Sequence, residues 1–254
     1  QLHQQRSHLL SQGFDVPVVG MTNSKRFVLS PDGINLAHWR EVLTASRRQK
    51  NGGAFADAVA RLGLPNAALV DCTADDSIVE AYPAFINANL HIVTPNKRAN
   101  VLPWRRYRAL QELVLRRQKH FLYEANVGAG LPVMSTLRDL IASGDEIIRI
   151  EGIFSGTLSY LFNTYDGSTP FSELVAQARQ MGLTEPDPRE DLSGQDVARK
   201  LLILAREIGL RMDIQDVSVS SLVPNALRRG AYAPRFFAAL ARYDHEMHKR
   251  LNDA

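Results

Sequence analysis

Short apolar runs at residues 67–72, 91–94 and 121–123 are separated by stretches of helical periodicity at 77–87 and 104–115. This alternation constrains the fold more than any other feature of the chain. A strand that returns to the same sheet through a helix must lie parallel to its predecessor. Strands covered on both faces read as continuous apolar runs. The pattern therefore predicts an α/β, Rossmann-like, doubly wound parallel sheet. Upstream, Leu2, Leu9 and Leu10 mark a helix ending near Gly13. Residues 16–21 read as a buried strand, 35–44 as a helix around Trp39, and 55–62 as a second short helix.

A dinucleotide-binding sheet opens with a strand and a Gly-x-Gly-x-x-Gly turn that seats a pyrophosphate on a helix N-terminus. Here the helix around Leu9 takes the place of the one after that turn, and 16–21 takes the place of the second strand. Gly52-Gly53 and Gly128-Ala129-Gly130 lack the required spacing. The sequence starts at Gln1, inside a helical pattern. The expectation is an incomplete sheet, in a piece whose natural beginning lies upstream.

After Gly130 the rhythm changes. Helices are predicted at 131–141, 157–163, 171–181, 195–208 and 235–251, with strands at 147–154 and 217–222. This reads as an α+β second domain. The expected division is residues 1–128, a partial nucleotide-binding domain, and residues 129–254, a catalytic and dimerisation domain.

At 254 residues and 45% hydrophobic, the chain can bury one large core or two modest ones. The net charge of +3 comes from 30 cations against 27 anions. The basic clusters Arg47-Arg48-Gln49-Lys50, Arg105-Arg106-Tyr107-Arg108 and Arg116-Arg117-Gln118-Lys119 stand outside any nucleic-acid-binding motif, so they read as solvated faces and nucleic acid is not the expected partner. Cys72 is the only cysteine, which rules out an intramolecular disulfide and suits the cytoplasm. No apolar stretch approaches the length needed to span a bilayer, and no signal peptide is visible.

The chemistry concentrates in a few places. The charged run from Thr184 to Lys200 leads into an apolar helix, Leu201-Leu202-Ile203-Leu204-Ala205. Asp196 and Lys200, four apart, share a face of that helix. A lysine held by a carboxylate at a core edge suggests proton transfer or recognition of a charged substrate. Lys97 in Thr94-Pro95-Asn96-Lys97 follows a strand end, where ligands gather in parallel sheets, although a solvated loop lysine has the same signature. Thr73 stands at an equivalent strand end, and the run Cys72-Thr73-Ala74-Asp75-Asp76 either hydrogen-bonds a cofactor or caps the helix at Ser77.

At the end of the 16–21 strand, Thr22-Asn23-Ser24-Lys25-Arg26 offers cations and no acid, which favours a ribose 2′-phosphate and hence NADP(H). Glu124-Ala125-Asn126-Val127-Gly128-Ala129-Gly130-Leu131-Pro132 combines a carboxylate with exposed backbone. It suits either a small cation or a glycine-rich hinge. Ser155-Gly156-Thr157 opens a helix whose N–H groups suit a substrate carboxylate, while Ser155 also suits a plain N-cap.

Together, Thr94–Lys97, Glu124–Pro132, Gly152-Ile153-Phe154-Ser155-Gly156-Thr157-Leu158-Ser159-Tyr160 and the Thr184–Lys200 run closely resemble homoserine dehydrogenase. The wording is most similar to the dehydrogenase part of bifunctional aspartokinase/homoserine dehydrogenases. The resemblance implies NADP(H)-dependent interconversion of L-homoserine and L-aspartate 4-semialdehyde on the route to threonine and methionine, with NAD(H) as an alternative cofactor. It implies that Lys200 donates a proton, that Asp196 orients it, and that Lys97 lies near nicotinamide and substrate. Glu185, Asp191, Gly156, Thr157 and Leu183 are implied to bind substrate. Thr73 and Lys97 are implied to contact cofactor, beside Asn23, Lys25 and Arg26. A sodium ion is implied at Glu124, Val127, Ala129 and Leu131, and a homodimer or higher homo-oligomer through the 147–154 strand. Against this stand an inactive structural or oligomerisation fragment, an NADP-sensing module and a nucleic-acid binder. With the glycine-rich turn and the family's C-terminal end missing, weak activity is expected of these residues alone.

Overall fold

The structure is a computed structural model that describes residues 1–49, 53–228 and 235–253; Lys50 and Gly52, named above, lie outside them. The chain divides into two compact units, Gln1–Ala99 with Arg108–Leu122, and Asn100–Tyr107 with Tyr123–Ala254.

In the first unit, α1 (Leu2–Ser11) precedes β1 (Gly20–Thr22) and β2 (Phe27–Leu29), and α2 (Trp39–Ala45) and α3 (Ala54–Ala60) follow. Next come β3 (Ala67–Val70), α4 (Asp76–Glu80), α5 (Tyr82–Asn87), β4 (Leu90–Val93), α6 (Trp104–Arg116) and β5 (Phe121–Leu122). Strands β3, β4 and β5 form the parallel sheet in that order, with Ala67 opposite Leu90 and Ile92 opposite Phe121. The mixed α/β class and the parallel sheet agree with the sequence reading.

Helix α5 supplies the core, burying Tyr82, Phe85 and Ile86 against fully buried Ile92. The Phe27 ring is tilted against Phe55 at a centroid distance of 5.5 Å, and Phe55 meets Phe85 edge to face at 5.8 Å. Each such ring contributes about 1.5–3 kcal/mol through burial.

Two elements differ from expectation. The segment at 16–21 is not a strand of the parallel sheet: only Gly20–Thr22 is a strand, and it pairs antiparallel with β2. The cause is Asn23, whose Oδ1 accepts the N–H groups of Lys25 at 2.8 Å and Arg26 at 2.9 Å and closes a hairpin turn. The helix expected at 77–87 is two, because Pro83, in the first turn of α5, cannot donate a hydrogen bond back into α4.

The second unit contains α7 (Val133–Ala142), α8 (Gly156–Thr164), α9 (Phe171–Gln180), α10 (Pro188–Leu192), α11 (Gln195–Glu207), α12 (Arg235–Leu240) and α13 (Asp244–Asn252). Its core gathers Leu161, Phe171, Leu174, Val175, Leu192, Val223, Phe236, Leu240 and Met247. The strands expected at 147–154 and 217–222 are not formed among the described residues. A ladder needs a second edge to hydrogen-bond, and Ile148 and Ile153 stand 94% and 75% exposed. The helix expected at 235–251 is interrupted by a 3-10 turn, Ala241–Tyr243. Asp244 then opens α13 while also capping α9, accepting from Ser172 N at 2.8 Å and Ser172 Oγ at 2.7 Å.

Candidate active site

Helix α11 carries the second unit's site. Gly194, just before it, has φ +72°, a left-handed conformation, and a Cβ there would meet Val219 Cγ1 at 3.0 Å. The helix buries Ala198, Leu202, Ile203, Leu204 and Ala205, which leaves Asp196 and Lys200 on its less buried face. Lys200 Nζ lies 2.7 Å from Asp196 Oδ2 and donates to the Phe154 carbonyl at 2.6 Å. The Lys200 side chain is 19% exposed and that of Asp196 44%. An ammonium has three donors, so these two acceptors fix its direction and leave room for a ligand oxygen.

The end of α11 is anchored deep in the same unit. Glu207 accepts from Tyr123 Oη at 2.7 Å and pairs with Arg138. Burial first, then the Glu207 charge, pushes the Tyr123 phenol well above its ordinary pKa, so it stays a donor.

Phe154, which receives the Lys200 amine, directly precedes the cap of α8. Ser155 Oγ accepts the Leu158 N–H at 3.1 Å, so Ser155 is the N-cap. Beside it, Thr157 Oγ1 is 2.7 Å from the Leu183 carbonyl and 2.8 Å from Asp191 Oδ1. The hydroxyl has one proton and donates to one of them at a time. Asp191 Oδ2 accepts the Glu185 N–H at 2.8 Å. Thr157, Leu183, Glu185 and Asp191 are thus brought together, with the Glu185 side chain exposed. Asp187 caps α10 and pairs with Arg189, which holds its carboxyl below the ordinary range.

In the first unit, Thr73 and Lys97 sit at the carboxyl ends of β3 and β4. The run 72–76 does cap α4, as its spacing suggested, though not through Thr73. That role belongs to Asp75, which accepts from Ser77 N at 2.9 Å, while Thr73 Oγ1 accepts the Asp75 N–H at 3.2 Å. Lys97 is half-buried at the start of a 3-10 turn, Lys97–Val101. Two residues that the sequence reading passed over are central here, Asp71 and Tyr82. Buried Asp71 accepts from Tyr82 Oη at 2.6 Å, Asn96 Nδ2 at 3.0 Å and Thr73 N at 2.8 Å. A carboxylate ending an apolar run was the available signal. Asn23 and Arg26 serve the hairpin: Arg26 Nη1 donates to the Thr44 carbonyl, and Lys25 is exposed.

The Glu124 carboxylate faces the start of α7. Oε1 accepts from Met134 N at 2.9 Å, and Oε2 from Ser135 N at 3.0 Å. It therefore offsets the positive end of that helix. In the following loop, Gly128 and Ala129 have φ +81° and +53°. A Cβ on Gly128 would stand 2.5 Å from Val133 Cγ2, so glycine is required there. The Leu131 carbonyl accepts from Val133 N at 2.8 Å. Among the described residues there is no group of three or more His, Cys, Asp or Glu side chains suited to a metal, and no helix long and apolar enough to cross a membrane.

A parallel sheet with polar side chains gathered at its strand ends, joined to a second unit, defines a Rossmann-like nucleotide-binding protein. Residues 1–124 match the family described as the NAD binding domain of homoserine dehydrogenase, and residues 132–253 match the family described as homoserine dehydrogenase. The chain is 47% identical over 241 residues to a bifunctional aspartokinase/homoserine dehydrogenase 1, chloroplastic, of Arabidopsis thaliana, which covers 94% of this chain and 26% of that protein. It is 41% identical over 237 residues to a homoserine dehydrogenase of Schizosaccharomyces pombe, covering 90% of this chain and 63% of that one. A crystal structure of a Candida auris protein of unknown function superposes with TM-score 0.83 at 34% identity, covering 99% of this chain and 72% of that one. The chain belongs to the homoserine dehydrogenase family. It spans about a quarter of the bifunctional relative's length.

Proposed function

We propose that the protein to which these residues belong interconverts L-homoserine and L-aspartate 4-semialdehyde with NADP(H), a step toward threonine and methionine. The observation that carries the reading is the Lys200 ammonium, aimed by Asp196 and the Phe154 carbonyl. A nicotinamide cofactor, held by the residues at the strand ends, would supply the hydride that the aldehyde carbon receives. Negative charge then develops on the carbonyl oxygen, and Lys200 is the donor that neutralises it, with Asp196 keeping the amine in line. A preorganised donor of this kind lowers the barrier by about 3–4 kcal/mol. In the oxidative direction the neutral amine takes the hydroxyl proton back.

Glu185 pairs with the substrate ammonium. Asp191 supports that role by holding the Glu185 N–H, and through Thr157 it ties α8 to Leu183. The N–H groups of Gly156 and Thr157 suit the substrate carboxylate. Thr73 and Lys97 contact the cofactor. Of the hairpin residues Asn23, Lys25 and Arg26, exposed Lys25 fits a 2′-phosphate best, because Arg26 and Asn23 already hold backbone groups.

A sodium ion fits the 124–131 loop through the backbone oxygens of Val127, Ala129 and Leu131. Glu124 contributes through Oε2, since Oε1 already accepts three hydrogen bonds. The ion would stiffen the loop and lend no step of the chemistry. The division at residues 1–128 and 129–254, a cytoplasmic setting, an upstream kinase and a homodimer are part of the same proposal. Exposed Ile148 and Ile153 on an extended, unpaired segment support the dimer.

The test is NADP-dependent oxidation of homoserine by the full-length parent, followed by NADPH absorbance. The proposal expects turnover with homoserine, and a parent with no homoserine-dependent NADPH formation would refute it.

A further inference from the structure

The Asp71 carboxylate is 2% exposed at the point where the strand ends of the first unit meet. Its Oδ1 accepts the Thr73 N–H, and its Oδ2 accepts the Tyr82 hydroxyl and the Asn96 side-chain amide. The other arm of Asn96, Oδ1, accepts the Arg98 N–H at 3.1 Å, so this side chain brackets the backbone of Lys97. The Asn96 N–H donates to Thr94 Oγ1 at 2.8 Å, and that hydroxyl donates to the Asp71 carbonyl at 2.8 Å.

We propose that Asp71, acting with Tyr82 and Asn96, is a positioning group for dinucleotide binding, one buried carboxylate that sets the backbone at Thr73 and at Lys97 together. The inference rests on the reading that the parent uses a nicotinamide dinucleotide.

Three considerations support it. A buried charge is costly unless fully hydrogen-bonded, and an apolar cluster of the same shape holds strands together at least as well. Stability alone therefore does not call for a carboxylate here. The hub also lies at the carboxyl ends of parallel strands, where such sheets receive ligands. Finally, two of its bonds, from Thr73 N and Asn96 Nδ2, come from the turns that carry the proposed cofactor contacts, and the third, from Tyr82, ties those turns to the core helix α5. Tyr82 is a permanent donor: burial, and then the bond to Asp71, raise its phenol far above the ordinary pKa. Fixing both turns before binding removes an ordering cost that the cofactor would otherwise bear.

Asp71→Asn keeps the size and the Oδ1 acceptor but turns an N–H toward the Asn96 amide, so the link to Lys97 is lost and the link to Thr73 survives. Tyr82→Phe removes one donor and keeps the ring. Both are made in the full-length parent, and NADPH affinity is read from its fluorescence, alongside kcat and KM for NADP and homoserine. Losing a hydrogen bond to a charged group should weaken NADPH binding about tenfold in Asp71→Asn and about threefold in Tyr82→Phe. At saturating cofactor, kcat and the homoserine KM should stay within about twofold of the parent's.

Unchanged NADPH affinity in both variants overturns the proposal. So does a parallel loss of cofactor affinity, kcat and homoserine binding, which marks general damage. If Asp71→Asn does not fold, Tyr82→Phe decides alone. A parent that binds no NADPH overturns the cofactor reading itself, an outcome distinct from a parent that binds it and variants that match.

Discussion

Arg206 gives the second unit its most concentrated set of buried polar contacts, and replacing it provides a quantitative test. The guanidinium donates to the carbonyls of Asn100 and Leu102, each at 2.8 Å, and to Met212 O at 2.8 and 3.1 Å. It also bonds Asp213 Oδ1 at 2.9 Å and lies 4.6 Å from the Tyr107 ring centroid. Its side chain is 1% exposed and that of Asp213 is 29%. Burial lowers the Arg206 pKa and the Asp213 charge opposes that shift.

Arg206→Met keeps the volume but takes the donor from three carbonyls and the counter-charge from Asp213, whose Oδ1 keeps the Trp104 N–H at 2.7 Å. Removing one partner of a fully buried ion pair costs about 3–5 kcal/mol. Partial exposure of Asp213 lets water recover some of that, which brings the expectation to about 3 kcal/mol. Arg206→Lys keeps the charge but cannot reach every acceptor, so about 1.5–2 kcal/mol is expected. The assay is urea unfolding followed by the fluorescence of Trp104, 5.7 Å from the guanidinium, in a Trp39→Phe background. A loss below about 1 kcal/mol in Arg206→Met, or a lysine variant matching the parent, would refute the reasoning.

Two further predictions test local roles. Glu124→Gln should lower stability by about 1 kcal/mol in sodium-free buffer through the weakened cap on α7, and by more in sodium, where a ligand to the ion is lost as well. An equal loss in both buffers would refute the sodium contact, and a loss seen only with sodium would refute the cap. His91 has a folded-state pKa held below 6.5, chiefly by burial and then by Lys119 and His120, and its Nδ1 accepts the His120 N–H at 2.9 Å. A lowered histidine pKa means that the unfolded chain binds the proton more readily. Its contribution is therefore fully present above pH 6.5 and is lost as pH falls through the window below it. His91→Asn, which keeps an acceptor, should flatten the pH dependence of the denaturation midpoint in that window; an unchanged slope would count against the assignment.

The parallel sheet was legible because β3, β4 and β5 each carry a short apolar run between helical stretches, although only the central β4 is buried or half-buried along its length, and Val70 of β3 and Leu122 of β5 are exposed. The hairpin was not, because Val16 and Val18 look like strand residues while the decisive contact is the Asn23 side chain on its own turn. The extended stretches at 147–154 and 217–222 carry strand-like composition, but pairing depends on an edge that their own sequence does not encode. In the site, Asp196 and Lys200 were legible because helical spacing alone puts them on one face. The Asp71–Tyr82 bond joins residues eleven apart through an intervening turn and helix, and no periodicity signals it. The Glu124 carboxylate beside exposed backbone was legible in its loop, but its hydrogen bonds to the head of α7 depend on how the chain folds back and were not.

The central claim is that the Lys200 amine donates the proton. Its most direct test is kcat for homoserine oxidation by Lys200→Met in the full-length parent, with NADPH affinity measured in parallel. The account expects turnover to fall about 100- to 1,000-fold while NADPH affinity stays within about twofold. Turnover within about threefold of the unsubstituted enzyme would contradict it.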